Sequence, residues 1–152
     1  MSPSEARVTL AIDAMGGENG PHEILKGLAS AIDNFSDDVD YILVGNEDEL
    51  NPLLGDFSSL TPKRIRIHHA SQVIEMDEKP VASLKAKKDS SIVRALELVR
   101  EDKADAMLSC GNTGSLMAGG IIKLRTLEGI DRPALATIWP GTQRYFVLLD
   151  AG

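Results

Sequence analysis

Short apolar runs alternate with amphipathic stretches along most of this chain. Runs that are rich in aliphatic and β-branched residues and end in polar residues or glycine predict β-strands. They lie at residues 7–13, 40–45, 64–68, 104–109, 134–139 and 145–149. Stretches with helical spacing of apolar residues predict helices, at residues 21–35, 46–54, 91–100 and 116–124. This order predicts an α/β domain with a mostly parallel sheet that helices cover on both faces.

Details of the pattern refine this fold. The first helix is predicted to bury one apolar stripe, which consists of Ile24, Leu28, Ala31, Ile32 and Phe35. The alternating third run predicts a half-exposed or edge strand. The last two runs are separated only by a short turn at Pro140 and Gly141, so they are predicted to pair antiparallel. Residues 70–90 are irregular, and the polar residues 1–6 are predicted to be disordered, which leaves a domain over residues 7–152.

Composition supports a single globular domain. The chain has 152 residues, of which 43% are hydrophobic and 26% charged, both ordinary values for a globular protein. These values exclude an intrinsically disordered, collagen-like or disulfide-rich protein. Because only 4% of the residues are aromatic, the core is expected to be aliphatic.

Charge narrows the possible partners and the compartment. The chain carries 16 Lys and Arg against 23 Asp and Glu, a net charge of −7, which disfavours general binding to nucleic acid or anionic membranes. Cys110 is the only cysteine and cannot form an internal disulfide. No signal peptide or run long enough to cross a membrane is recognisable, so a cytoplasmic protein is expected.

Two glycine-containing loops follow predicted strands. The first places Gly16 and Gly17 after the strand that ends at Asp13, and leads into a helix that begins near Pro21. Glycine lets a backbone approach a ligand closely, and a helix amino terminus attracts anions. For an isolated pair of glycines, an ordinary tight turn with Asp13 bonded to the loop backbone is the favoured interpretation. It lacks the spacing of a dinucleotide or Walker motif.

The second loop, residues 109–115, also joins a strand to a helix. Its glycines, side-chain donors and helix amino terminus suit a phosphate or a developing oxyanion. The structural alternative is a helix cap formed by Asn112 or Thr113. Two such loops at adjacent strand ends favour the functional interpretation.

Other polar residues carry weaker signals. Residues 74–80, with Lys79, and the lysine cluster that follows read most simply as solvated surface, although a lysine there could reach an anion. Cys110 is interpreted as a small structural residue rather than a nucleophile, because no histidine lies near it in sequence. His68 and His69 would point to opposite sides of a strand, so no metal site is predicted.

Several motifs taken together resemble one enzyme family. They occur in the order AIDAMGG (11–17), VIEMDEKP (73–80), KKDSS (87–91), LELVR (96–100), GNTGSLM (111–117), GIDRPA (129–134) and VLLD (147–150). From about Val8 to Gly152 the chain resembles the bacterial acyl-acyl carrier protein:phosphate acyltransferases of phospholipid synthesis (PlsX). The resemblance implies a fold similar to isocitrate and isopropylmalate dehydrogenases and phosphate acetyltransferases.

The resemblance also implies a reaction and its partners. Inorganic phosphate would attack the thioester of a fatty acyl-acyl carrier protein, and the acyl phosphate product would serve a membrane glycerol-3-phosphate acyltransferase. Family members are homodimers at the cytoplasmic face of the membrane, and the reaction requires no cofactor. They are considerably longer, and this chain stops just after a predicted strand, so it is expected to be the amino-terminal part of a longer protein. The family usually has Asp at Glu18 and Ala at Cys110.

These implications and the residues give a site hypothesis. Asn112, Asp13 and Lys79 are predicted as catalytic residues, with Asn112 as an oxyanion donor, Lys79 offsetting phosphate charge and Asp13 orienting the loop. The predicted phosphate and oxyanion site consists of Gly16, Gly17, Thr113, Gly114 and Ser115, together with Asn112. The predicted docking site for the acidic carrier protein consists of Lys85, Lys87 and Lys88. The alternatives are a short-chain phosphate acyltransferase that uses coenzyme A thioesters, and a phosphate-binding fragment without activity.

Overall fold

The computed structural model describes residues 7–34, 38–57 and 64–150. Its elements are β1 (Val8–Asp13), α1 (Gly20–Asn34), β2 (Val39–Gly45), α2 (Glu47–Leu54), β3 (Ile65–His69), α3 (Pro80–Ala86), α4 (Ser91–Arg100), β4 (Ala106–Ser109), α5 (Thr113–Lys123), β5 (Ala136–Pro140) and β6 (Tyr145–Leu149). The predicted disordered segment 1–6, Phe35 of the predicted stripe and residues 151–152 lie outside the described part of the chain.

The first four strands form one parallel sheet in the order β3-β2-β1-β4. This confirms the predicted parallel sheet, and it confirms that the third strand lies at an edge. β4 pairs with β1 although a long stretch of chain separates them, and the register sets Asp13 opposite Ser109. The carboxyl ends of β1 and β4 therefore meet at the same edge of the sheet.

Helices cover both faces of this sheet, as the pattern predicts. On one face, Leu25 of α1 is fully buried in a cluster with Leu43 of β2. On the other face, Ala95 and Leu98 of α4 pack in a cluster with Ile42. The alternation of side chains along a strand sends neighbouring residues to opposite faces, so the two central strands, β1 and β2, supply both clusters.

The buried face of α1 is shifted from the predicted stripe. Leu28 is buried as predicted, and Ile24 and Ile32 are half-buried against the same cluster, but Leu25 and Ala29 are buried as well. Ile24 and Leu28 also border an apolar cavity of about 740 Å³ between α1 and the sheet. The difference arises because helical spacing identifies an apolar side of a helix but does not show how far the sheet beneath it extends.

A short helix and the final pair of strands depart from the predicted pattern. α3 lies in the stretch that was predicted to be irregular, since seven residues are too few to display a helical stripe. β5 and β6 pair antiparallel, as predicted, but form a separate two-stranded sheet instead of extending the main one. Side chains on that hairpin are exposed, with Ile138 at 75% and Tyr145 at 74%. Within the described ranges, no helix has the length and apolar character needed to cross a membrane.

Candidate functional site

The two glycine loops lie side by side at the carboxyl edge of the parallel sheet. Because β1 and β4 are neighbours, the loop after Asp13 and the loop after Ser109 leave the sheet at the same point. In open parallel sheets, ligands bind outside the carboxyl ends of the strands. The adjacency of strand ends that the sequence predicts is confirmed.

A buried carboxylate joins the loops. Asp13 is only 2% exposed, and its Oδ2 accepts a hydrogen bond of 2.7 Å from Ser109 Oγ. Its Oδ1 accepts a longer bond of 3.3 Å from the backbone N–H of Met15. Ser109 Oγ in turn accepts a bond of 3.0 Å from the backbone N–H of Gly111. The hydroxyl of Ser109 therefore links the end of β1 to the start of the second loop.

Gly16 brings the first loop directly against this link. A Cβ atom on Gly16 would lie 2.6 Å from Asp13 Oδ2 and 2.9 Å from the Gly111 nitrogen. Gly17 has a φ of 105°, and a Cβ atom there would lie 3.4 Å from the Cys110 carbonyl oxygen. Only glycine permits such close packing of the two loops.

Asn112 fastens the second loop to a distant turn. Its Oδ1 accepts a 2.9 Å bond from the Ser115 N–H, which caps α5. Its Nδ2 donates to the carbonyl oxygens of Glu75, Met76 and Glu78 at 3.3, 2.9 and 3.1 Å. Asn112 is only 7% exposed. In this conformation its amide hydrogens are committed to protein carbonyls, so the geometry favours a clamp over the predicted oxyanion donor.

The first turn of α5 leaves other donors open. Backbone N–H groups in the first turn of a helix have no acceptor within the helix, and Thr113 and Gly114 are exposed there. The prediction that both bind phosphate stays a prediction. Ser115 differs, because its side chain is fully buried and its N–H is taken by Asn112. No partner for its hydroxyl lies among the described residues.

Lys79 lies near the first turn of α5. It precedes Pro80, the first residue of α3, and a Cβ atom on Gly114 would lie 2.7 Å from Pro80 Cγ. Lys79 is exposed, and no ion pair to it occurs within residues 7–34, 38–57 and 64–150. The residue after Lys79 thus contacts the first turn of α5, and a lysine near open helix N–H groups favours a bound anion.

Lys87 does not share the exposed position of its neighbours in the predicted docking cluster. Its Nζ donates to the Val73 carbonyl at 2.7 Å and forms an ion pair with Glu78. Ser83 Oγ also donates to Glu78, at 2.7 Å. The hydrogen bonds from Lys87 and Ser83 lower the pKa of Glu78 to about 2. Lys87 thus braces the turn that Asn112 holds, whereas Lys85 and Lys88 are exposed.

A second polar network braces the helices beside the site. Asp89 accepts bonds from Ser71 Oγ at 2.5 Å and from Arg94 Nε at 2.6 Å. Arg94 also reaches Glu97, which accepts a 2.7 Å bond from Lys123 of α5. The hydrogen bond from Ser71, followed by that from Arg94, lowers the pKa of Asp89 to about 2. The network ties α4 to α5 and to the segment after β3.

The electrostatics differ between the two sides of the site. A pocket of about 400 Å³ lies beside the first glycine loop and is bordered by Glu18, Glu23, Met76 and Cys110, with no Lys or Arg among the described residues that line it. Its carboxylates repel an anion, whereas the α5 terminus and Lys79 attract one. The α5 side is therefore the better place for phosphate. Cys110 is exposed at the pocket.

The sequence pattern does not single out the residues that hold the loops together. Ser109, Gly111 and the carbonyls of the 75–78 turn act through contacts between parts of the chain that are far apart in sequence. Ser109 could be identified from the sequence only if the strand order were known, because the pairing of β1 with β4 puts Ser109 opposite Asp13.

Comparison with known proteins gives consistent matches over nearly all of the chain. The family model described as "Fatty acid synthesis protein" matches residues 8–152. A phosphate acyltransferase of Thermoanaerobacter pseudethanolicus is 48% identical over 143 residues, which is 94% of this chain and 41% of the relative. The phosphate acyltransferase of Halothermothrix orenii is 45% identical over 94% of this chain and 42% of the relative. That of Geobacillus thermodenitrificans is 46% identical over 95% of this chain and 43% of the relative.

The chain spans about two-fifths of the length of these curated relatives. The matched segment contains both glycine loops, the Asp13–Ser109 link and the turn that carries Lys79. On this match, the chain belongs to the family of fatty acid synthesis proteins.

Proposed function

We propose that the complete protein is a phosphate acyltransferase, which transfers a fatty acyl group from acyl carrier protein to inorganic phosphate for phospholipid synthesis. The relatives named phosphate acyltransferase support the reaction class. The observation that carries the proposal is the joining of two glycine loops beside an open helix terminus and the exposed Lys79.

This reaction depends mainly on how the site positions phosphate against the thioester. An oxygen of HPO₄²⁻ attacks the thioester carbonyl, a C–O bond forms and the C–S bond breaks. The proton of HPO₄²⁻ passes to the departing thiolate, so the products are acyl phosphate and the free thiol of the carrier protein. Phosphate is already anionic near neutral pH, so orientation and charge stabilisation contribute more than a strong base.

Each part of the site has a role in this proposal. The N–H groups of Thr113 and Gly114, together with Lys79, hold phosphate at the amino terminus of α5. Asn112 is reassigned from an oxyanion donor to the clamp of that terminus. Asp13 orients the loops from beneath.

The glycines of the first loop complete the arrangement. Gly16 and Gly17 let that loop lie within van der Waals distance of the second. The thioester carbonyl then lies at the outer edge of the contact between the loops, where backbone donors can face the developing oxyanion. No cofactor is required by these steps.

The partners belong to the same proposal. Lys85 and Lys88 form the docking patch for the acidic carrier protein, without Lys87. The complete protein is a homodimer on the cytoplasmic face of the membrane, where a glycerol-3-phosphate acyltransferase consumes the acyl phosphate. Complementary charge mainly speeds the encounter of such partners.

Product analysis of the complete native protein tests the proposal. We expect acyl phosphate to form from fatty acyl-acyl carrier protein, at a rate that depends on inorganic phosphate. Preference for short-chain acyl-coenzyme A would instead support the shorter-chain acyltransferase. Phosphate binding without product from either donor would contradict an acyltransferase.

A further inference from the structure

Ser109 occupies the point where the two glycine loops meet. A serine hydroxyl has one hydrogen to donate and two lone pairs to accept with. Its hydrogen is committed to Asp13 at 2.7 Å, and the Gly111 N–H uses an acceptor position at 3.0 Å. One hydroxyl thus holds a buried carboxylate on one side and the backbone of the next loop on the other.

Asp13 depends strongly on this hydroxyl. Burying a carboxylate is costly unless hydrogen bonds compensate for the lost water. Among the described residues, the donors to Asp13 are Ser109 and, at 3.3 Å, the Met15 N–H. Gly16 packs against the carboxylate so closely that no side chain fits between them. Loss of the Ser109 hydroxyl would leave Asp13 with its longer bond alone, and the loop around Gly16 would shift to solvate it.

The same loss would release the second loop. Gly111 directly precedes Asn112, the cap of α5, and its N–H would lose its acceptor. A shift at Gly111 therefore passes along the backbone to Thr113 and Gly114. Misplacing a binding group by about 1 Å can lower a reaction rate about 10²-fold.

We propose that Ser109 is a positioning residue for acyl transfer, which clamps the glycine loop after Asp13 to the loop before α5 and thereby aims the α5 terminus at phosphate. The proposal rests on the proposed function. It assigns Ser109 no contact with substrate, because its hydrogen is already engaged.

Steady-state kinetics on the complete protein test this role with Ser109→Ala, Ser109→Thr and the control Ser30→Ala. Ser30 is exposed on α1, away from both loops. We expect Ser109→Ala to lower kcat/KM for phosphate about 10- to 100-fold, with an unchanged KM for the acyl donor. Ser109→Thr keeps the hydroxyl and should restore most of the loss, and Ser30→Ala should match wild type. Assays run well below each variant's Tm, so that folding differences do not contribute.

Amide hydrogen exchange gives a readout that does not depend on turnover. Ser109→Ala should speed exchange at Gly111 and at residues 15–17, whereas Ser30→Ala should leave both unchanged. A lowered Tm with wild-type kinetics would overturn the positioning role, as would an equal loss in the threonine variant. If wild-type protein forms no acyl phosphate, the proposed function fails, and the exchange data alone decide whether the clamp exists.

Discussion

Asn112 Nδ2 lies 2.9 Å from the carbonyl oxygen of Met76, although 36 positions separate the two residues in sequence. This contact attaches the turn that leads to Lys79 to the amino terminus of α5. The backbone that carries Lys79 is thereby held near the amino terminus of α5. The site is thus built by a clamp between segments rather than by one continuous motif.

Substitution of Asn112 should separate capping from clamping. Asn112→Ala loses the cap and the three bonds to carbonyls, and should lower the free energy of unfolding by about 2 kcal/mol. Asn112→Asp keeps the capping oxygen but sets a carboxylate against carbonyl oxygens, so it should be at least as unstable as Asn112→Ala. Urea unfolding of the variants measures this. An aspartate variant as stable as wild type would mean that the contacts to the 75–78 turn are unimportant.

Gly16 and Gly27 form a matched pair of glycines. Gly16→Ala would place a methyl group 2.6 Å from Asp13 Oδ2 and 2.9 Å from the Gly111 nitrogen, so the loops must separate. We expect a loss of about 1–3 kcal/mol in the free energy of unfolding, and lower turnover in the complete protein. Gly27 lies within α1, and no atom of the described residues lies within 4 Å of its Cβ position, so Gly27→Ala should stabilise by up to about 1 kcal/mol. Equal effects of the two substitutions would refute the close packing at Gly16.

The pH dependence of the free energy of unfolding should follow two carboxylates, Glu78 in its ion pair with Lys87 and Asp89 in its ion pair with Arg94. Glu78 and Asp89 have pKa values lowered to about 2 by their hydrogen bonds, from ordinary values of 4.5 and 3.8. Because the folded state binds these protons less readily, their contribution is present above the ordinary pKa and is lost as pH falls towards 2. The free energy of unfolding should therefore decline below about pH 4.5. Glu78→Gln should flatten part of that decline, and an unchanged slope would remove Glu78 from the account.

The lysines near the site should fall into distinct classes. Lys79→Met should raise the KM for phosphate by about tenfold, as expected for loss of a charge-assisted contact.

Charge reversal at Lys85 and Lys88 should raise the KM for the acyl-carrier substrate at low salt and leave the phosphate KM unchanged. Lys87→Met should instead lower Tm, because Glu78 would lose its ion pair with Lys87. A phosphate KM that is insensitive to Lys79 would contradict its assignment.

The strands of the sheet were largely predictable because strands buried on both faces are continuous apolar runs. α4 matches its predicted bounds, since its apolar face repeats at helical spacing over ten residues. α3 was not predicted because it is too short to show a periodic pattern. The buried side of α1 depends on neighbouring elements, which a periodic pattern does not reveal.

The site was predictable in its location but less so in its details. Glycines after strand ends identify both loops from sequence alone. The occupied amide of Asn112, the paired state of Lys87 and the link at Ser109 all depend on partners far away in the chain. Local spacing carries no information about such contacts, so these roles became visible only in the folded arrangement.

The central claim is that the amino terminus of α5 and Lys79 bind phosphate. A crystal structure of the complete protein with inorganic phosphate tests it most directly. The account predicts phosphate oxygens within hydrogen-bonding distance of the Thr113 and Gly114 nitrogens and of Lys79 Nζ. Phosphate bound instead in the pocket beside Glu18 and Glu23, with the α5 terminus empty, would contradict it.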